Sequence, residues 1–150
     1  MNLQAQTVNH QIQLTHFIQF CENLTLDKTG EFAELYTADA YFKDPFNEVK
    51  GHEAIIAIFN HMFSQVDAPR FRVTHSILQD DEAFLVWDFL FRFKGSKGTG
   101  ECIHGGSHLR FTPDGKVSYH RDYWDAAEEL YEKIPLLGGL MRLIKKMARR

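Results

Sequence analysis

The chain has 150 residues, 44% hydrophobic and 25% charged, an ordinary globular composition with enough length to bury a core. A formal net charge of −3 argues against a nucleic-acid partner. No apolar run reaches the roughly eighteen residues of a membrane span, and the polar start, MNLQAQTVNHQIQ, lacks the regions of a signal peptide.

Two cysteines, Cys21 and Cys102, make no disulfide framework and read as reduced thiols of a cytoplasmic protein. Thirteen Phe are enough to fill a core, line a pocket, or both. Nothing marks a linker or repeat, so residues 1–150 are expected to form one domain. Charge is uneven along it. Residues 131–150 hold six basic residues and one acid, a balance of +5, so the first 130 carry −8.

Ile12, Phe17, Phe20, Cys21 and Leu24 recur at helical spacing and predict a helix over 9–24. A short helix through Phe32, Leu35 and Tyr36 follows, then a strand over 40–43 that Asp44-Pro45 ends. Ala54, Ile55, Ile58, Phe59 and Met62 predict a second long helix over 52–65. From residue 70 the period becomes two. Strands are predicted over 71–77, 83–94, 101–111 and 117–124, with turns at 95–100 and 113–116. Gly105-Gly106 is the expected bulge. The remainder is helical, ending in an amphipathic basic helix over about 136–150 that Gly138-Gly139 can hinge. Helices first and hairpin-linked strands afterwards is the α+β pattern.

Alternation sorts each strand into two faces. Phe84, Val86, Asp88, Leu90 and Arg92 share one. Leu85, Trp87, Phe89, Phe91 and Phe93 share the other, and that continuously apolar set suggests a homodimer through the sheet's outer face. Asp88 is the one carboxylate in its apolar run and must reach water or a partner. On the last strand Ser118, His120, Asp122 and Trp124 share a face. With Asp44 and Asp88 they can assemble carboxylates and an imidazole whose mutual influence separates an acid from a base. The histidines show no metal-ligand spacing, so no metal and no organic cofactor is expected.

Three stretches resemble the nuclear transport factor 2-like superfamily, which includes SnoaL-like cyclases, ketosteroid isomerases and limonene-epoxide hydrolases. They are Leu35-Tyr36-Thr37-Ala38-Asp39-Ala40 with Phe42-Lys43-Asp44-Pro45 and Gly51-His52-Glu53-Ala54-Ile55; Phe111-Thr112-Pro113-Asp114-Gly115-Lys116-Val117; and Arg121-Asp122-Tyr123-Trp124-Asp125. The resemblance covers about residues 10–126. It implies a cone-shaped, cystatin-like fold, with helices packed on a curved mixed, mainly antiparallel sheet. Asp44 matches the isomerase's general base; Asp122 and Asp88 match the epoxide hydrolase's two aspartates. The isomerase's oxygen-holding donors are replaced by Phe20 and Ser107. The hydrolase's bridging arginine is replaced by Val86, and its water-holding Tyr and Asn by Phe42 and Asp44. His120, facing the same way as Asp122, is the expected stand-in for that cation.

The resulting expectation is a small-molecule pocket protein. Asp44, Asp88, His120 and Asp122 would perform acid/base hydrolysis or isomerisation within an apolar wall of Phe20, Phe42, Val86, Leu90, Ile103, Ser107 and Trp124. The alternative is a non-catalytic module for binding a small apolar molecule or for dimerisation. The last helix would dock on the pocket, on a partner or on a membrane surface.

Overall fold

The apolar stripe of the first helical segment becomes α1, His10–Glu22, whose Leu14 and Phe17 are buried and whose Asn9 side chain caps the Gln11 N–H at 3.1 Å. The computed structural model describes residues 9–133 and 136–149; the polar first residues and Arg150 lie outside them. A 3-10 turn, Leu26–Glu31, leads into α2, Phe32–Leu35, and strand β1, Tyr36–Lys43. Strand β1 is longer than its sequence signal because Tyr36 leaves the helix and pairs with Val117. The brief strand β2, Glu48–Lys50, precedes α3, His52–Gln65, which buries Ile55 and Phe59.

Four long strands follow: β3, Val66–Gln79; β4, Glu82–Phe93; β5, Glu101–Phe111; and β6, Val117–Tyr123. They complete a six-stranded sheet of order β2-β1-β6-β5-β4-β3, antiparallel except where β1 runs parallel to β6. The last elements are α4, Ala126–Glu129, a 3-10 turn, Tyr131–Lys133, and α5, Leu137–Ala148. This is the expected α+β architecture, helices on one face of a mixed, mainly antiparallel sheet.

Which face of β4 meets the helices decides where the interior lies. Ala83, Leu85, Trp87, Phe89 and Phe91 are buried on the inner side, while Phe84, Val86 and Arg92 alternate outward and stay exposed. Burying each large apolar side chain contributes about 1.5–3 kcal/mol. Turning the strand over would set Arg92 and Asp88, which is already buried but paired with Arg72 and His104, against the apolar core without those partners, at several kcal/mol per ion. Trp87, Phe89 and Phe91 are therefore core, covered by the protein's own helices, and cannot form the expected dimer contact. The outer face carries a different apolar set, Ile77, Phe84, Val86 and Tyr123, each between 41% and 69% exposed.

Gly105-Gly106 makes no bulge: β4 and β5 stay in unbroken register from Glu82↔Arg110 to Phe91↔Glu101. The irregularities that bend the sheet fall in β3 (between Asp67 and Arg70, and between Val73 and His75), between Arg110 and Phe111, and between Tyr36 and Tyr41. Gly105 is needed for space. It pairs with Trp87, and a Cβ there would sit 2.4 Å from the indole. Gly105→Ala must push the indole aside, at an expected cost of about 1–3 kcal/mol. Urea unfolding with near-ultraviolet circular dichroism of the tryptophans checks both the cost and the movement.

Candidate functional site

Register across the inner face assembles one polar cluster inside an aromatic core. Leu85 pairs with Ser107, and Ser107 with Asp122. His120 lies beside Phe42 on the neighbouring strand. The Trp87 Nε1–H donates to Ser107 Oγ at 2.8 Å, and the Ser107 hydroxyl donates to Asp122 Oδ1 at 2.5 Å. His120 Nε2 lies 2.6 Å from the same Asp122 oxygen, and His120 Nδ1 lies 2.6 Å from the Tyr36 hydroxyl. An ionised Asp122 only accepts, so a neutral His120 carries its proton on Nε2 and receives the Tyr36 O–H at Nδ1. Burial pushes the Tyr36 pKa well above its ordinary value, and the nearby Cys21 and Asp122 push it the same way. The phenol therefore stays protonated and remains a donor.

Aromatic rings enclose this chain of bonds. Phe42 and Phe17 meet the His120 imidazole edge-on at centroid distances of 4.9 and 6.0 Å, and Tyr36 stacks on it at 6.0 Å. Cys21 belongs to the same interior. Burial, followed by the charge of Asp122, drives its thiol pKa far up and keeps it an inert thiol. Asp122 is where the chain reaches solvent. It lines an open cleft of about 550 Å³ with Lys43, Asp44, Pro45, Arg121, Tyr123, Trp124 and Asp125. Phe46 packs edge-on against Trp124, with Tyr131 next to it, and so backs the indole that lines the cleft.

The expected site residues divide sharply. His120, Asp122, Ser107, Phe42 and Ile103 face the interior, and Trp124 lines the cleft. Phe20 packs on Phe32 at 4.9 Å as part of the core edge. Asp44 lines the cleft with Asp122, but its carboxylate is committed to a turn. It accepts the Phe46 and Asn47 N–H groups at 2.7 and 2.6 Å and the Asn47 amide at 3.0 Å.

Asp88, Val86 and Leu90 are on the outer face and do not meet the cleft, because β4 gives its uniformly apolar side to the core. Asp88 is instead held by Arg72 at 2.5 Å and His104 at 2.6 Å. Arg72 chiefly, then His104, lowers its pKa below the usual carboxylate value, so it is ionised at neutral pH and is no proton donor. Asp88, His104 and Cys102 have donor atoms within 4.8 Å of one another, the spacing a metal ion requires. A divalent cation there would have to lie beside the Arg72 guanidinium, which already neutralises the carboxylate.

Residue-by-residue alternation did not reveal Tyr36 or Trp87 as members of the inner cluster. Tyr36 reads as part of a helical stripe, and only the β1/β6 pairing brings it to His120. Trp87 carried a usable signal, since a buried indole N–H requires an acceptor.

The SnoaL-like domain family matches residues 17–120, and the chain belongs to that family. No curated protein matches it by sequence. Among solved structures it resembles a hypothetical protein with a ketosteroid isomerase-like fold from Catenulispora acidiphila, in complex with trimethylamine, with TM-score 0.67, 16% identity, and coverage of 79% of this chain and 88% of that one. An epoxide hydrolase from M. tuberculosis of the limonene-epoxide-hydrolase-like type aligns with TM-score 0.65 and 13% identity, over 93% and 98% of the two chains. A protein assigned as a SnoaL-like polyketide cyclase from Shewanella denitrificans aligns with TM-score 0.66 and 18% identity, over 81% and 96%. At these identities the likeness establishes the nuclear transport factor 2-like fold alone.

Two measurements test the electrostatics. Tyr36→Phe strands His120 Nδ1 in the core, at an expected cost of about 1–3 kcal/mol in urea unfolding. Asp88→Asn should destabilise the protein at neutral pH. Because the folded-state pKa of Asp88 is lowered, its contribution is fully present above the unfolded carboxylate value. It disappears as pH falls through the folded value. The gap between wild type and variant should therefore be constant at neutral pH, begin to narrow as pH falls past the ordinary carboxylate value of about 4, and close only below it.

Proposed function

We propose that the chain is an acid/base enzyme whose single carboxylate base, Asp122, moves a proton on a small, mostly apolar molecule bound in the cleft. One observation carries this reading: two buried hydrogen-bonded arms, Trp87–Ser107 and Tyr36–His120, converge on the Asp122 carboxylate, which also lines an open cleft. Both bonds to Asp122 fall on Oδ1, so Oδ2 is the oxygen that can receive a proton. Ser107 and His120 fix the orientation of the carboxylate, and His120 can pass charge relief inward to a phenol that remains protonated. Trp124, backed by Phe46, would bind the apolar body of the substrate.

The outward position of Asp88 selects among reactions. Hydration of an epoxide in the two-aspartate manner needs a second, protonated carboxyl in the same cavity, and Asp88 is ionised on the opposite face. Asp44 is held in its turn. Removal of a proton beside a carbonyl needs only one base, so isomerisation or cyclisation of a carbonyl compound is the better fit. A second copy of the chain is the proposed neighbour of the outer sheet face. Ile77, Phe84, Val86 and Tyr123 supply its apolar centre, and the Glu82–Arg110 and Asp88–Arg72 pairs place both signs of charge around it, as a self-complementary contact requires.

Deuterium exchange at the carbon beside the carbonyl, followed by NMR across a panel of cyclic ketones and epoxides, tests the chemistry. Wild-type protein should catalyse exchange of at least one ketone. Asp122→Asn should lower that rate by about 10²–10⁴ while near-ultraviolet circular dichroism stays unchanged. Hydration of the epoxides without ketone exchange would transfer the case to hydrolysis. Binding without either reaction would leave a non-catalytic pocket.

A further inference from the structure

Helix α5 is attached to the body by the face opposite its apolar stripe. With 3.6 residues per turn, Leu140, Leu143, Ile144 and Met147 share one side of the helix. Gly138, Arg142 and Lys145 lie toward the other, and that other side makes the contacts. Gly138 is buried so tightly against the Glu132 carbonyl that a Cβ would come within 2.2 Å of its oxygen. The Gly138-Gly139 pair lies in the first turn of α5, where Gly138 permits this close approach. Arg142 Nη1–H donates to the same carbonyl at 3.2 Å, and Lys145 pairs with Glu132 at 3.0 Å and Glu128 at 3.7 Å. The apolar side consequently points away from the protein. Leu136, Leu140, Leu143, Ile144 and Met147 are between 48% and 93% exposed.

We propose that this outward face is a docking surface for a bilayer containing anionic phospholipid, with α5 lying in the plane of the interface. Lys146 borders the stripe, Arg149 follows the last turn of the helix, and both are exposed. The first 130 residues carry −8, so an anionic surface attracts this end of the molecule and repels the rest. The twelve residues of α5 extend about 18 Å, too short to cross a bilayer, and among the described residues no helix is long and apolar enough to do so. A stable protein interface needs about 800 Å² from each partner, more than one side of so short a helix offers. A shallow apolar stripe with basic flanks is what the boundary between headgroups and acyl chains accepts. Attachment through Lys145, Arg142 and Gly138 means that the helix needs no rearrangement before it binds. This role is independent of the chemistry at Asp122.

Full-length protein should co-sediment with vesicles of phosphatidylcholine and phosphatidylserine, less with phosphatidylcholine alone, and be released by salt. The variants Lys146→Glu and Arg149→Glu should each weaken binding about fivefold or more, and Ile144→Glu with Met147→Glu should abolish it. All four positions are exposed, so far-ultraviolet circular dichroism should confirm that the variants fold. Binding that ignores phosphatidylserine, or that survives Ile144→Glu with Met147→Glu, overturns the proposal. So does a concentration-dependent dimer, in sedimentation, that the same double substitution dissociates, since the stripe would then belong to a second copy.

Discussion

The Trp87 indole N–H donates to Ser107 in the middle of an interior otherwise built from rings and aliphatic chains, and the polar interior is organised from that bond. A buried N–H without an acceptor costs about 1–3 kcal/mol, so Ser107 is held to it. Ser107 then turns its own hydroxyl proton to Asp122. Asp122 accepts a second hydrogen bond from His120 Nε2, and His120 Nδ1 accepts one from the Tyr36 hydroxyl. Each group satisfies the next, so the network is stable in a low-dielectric setting where a half-satisfied one would not be. Its carboxylate member, where the two arms meet, lines the open cleft.

This arrangement requires β4 to face one way, and the two sides of that strand differ enough to settle it. The inner side is all apolar and carries Trp87. The outer side carries Asp88, which finds Arg72 on β3 and His104 on β5 and so closes a separate ionic network on the opposite surface. The two carboxylates that a family comparison would pair for catalysis thus serve different ends. One is held by neutral donors beside a cleft. The other is neutralised by a guanidinium on the outside. Asp122 is thus the carboxylate placed beside the cleft, and Asp88 is the anion of an ionic network away from it.

The last helix follows another logic. Its contacts to Glu132 and Glu128 are polar and use a glycine for close approach, which leaves its aliphatic side exposed among the described residues. Apolar area left outward by an otherwise well-packed domain is informative because isolated exposed residues are ordinary but an ordered stripe is not. The acidic body and the basic last segment give the molecule a polarity that matches this division.

The element boundaries of α1, α3, β4 and β5 were legible in the sequence, because apolar spacing at three and four residues, or at two, is what one buried face demands. So was the pairing of His120 with Asp122, which needs only two residues of one strand on one side. The sequence also contained the answer for β4, since the uniformly apolar side should win the core over the side with Asp88 and Arg92. Matching Asp88 to a catalytic aspartate pointed the other way. Two features belonged to the tertiary structure alone. Tyr36 reaches His120 only because β1 lies parallel to β6, a long-range pairing with no local signature. The direction in which α5 points its stripe depended on Glu132 meeting Gly138, Arg142 and Lys145. An amphipathic sequence specifies that a helix has two sides, and only the contacts made across the chain decide which side is turned outward.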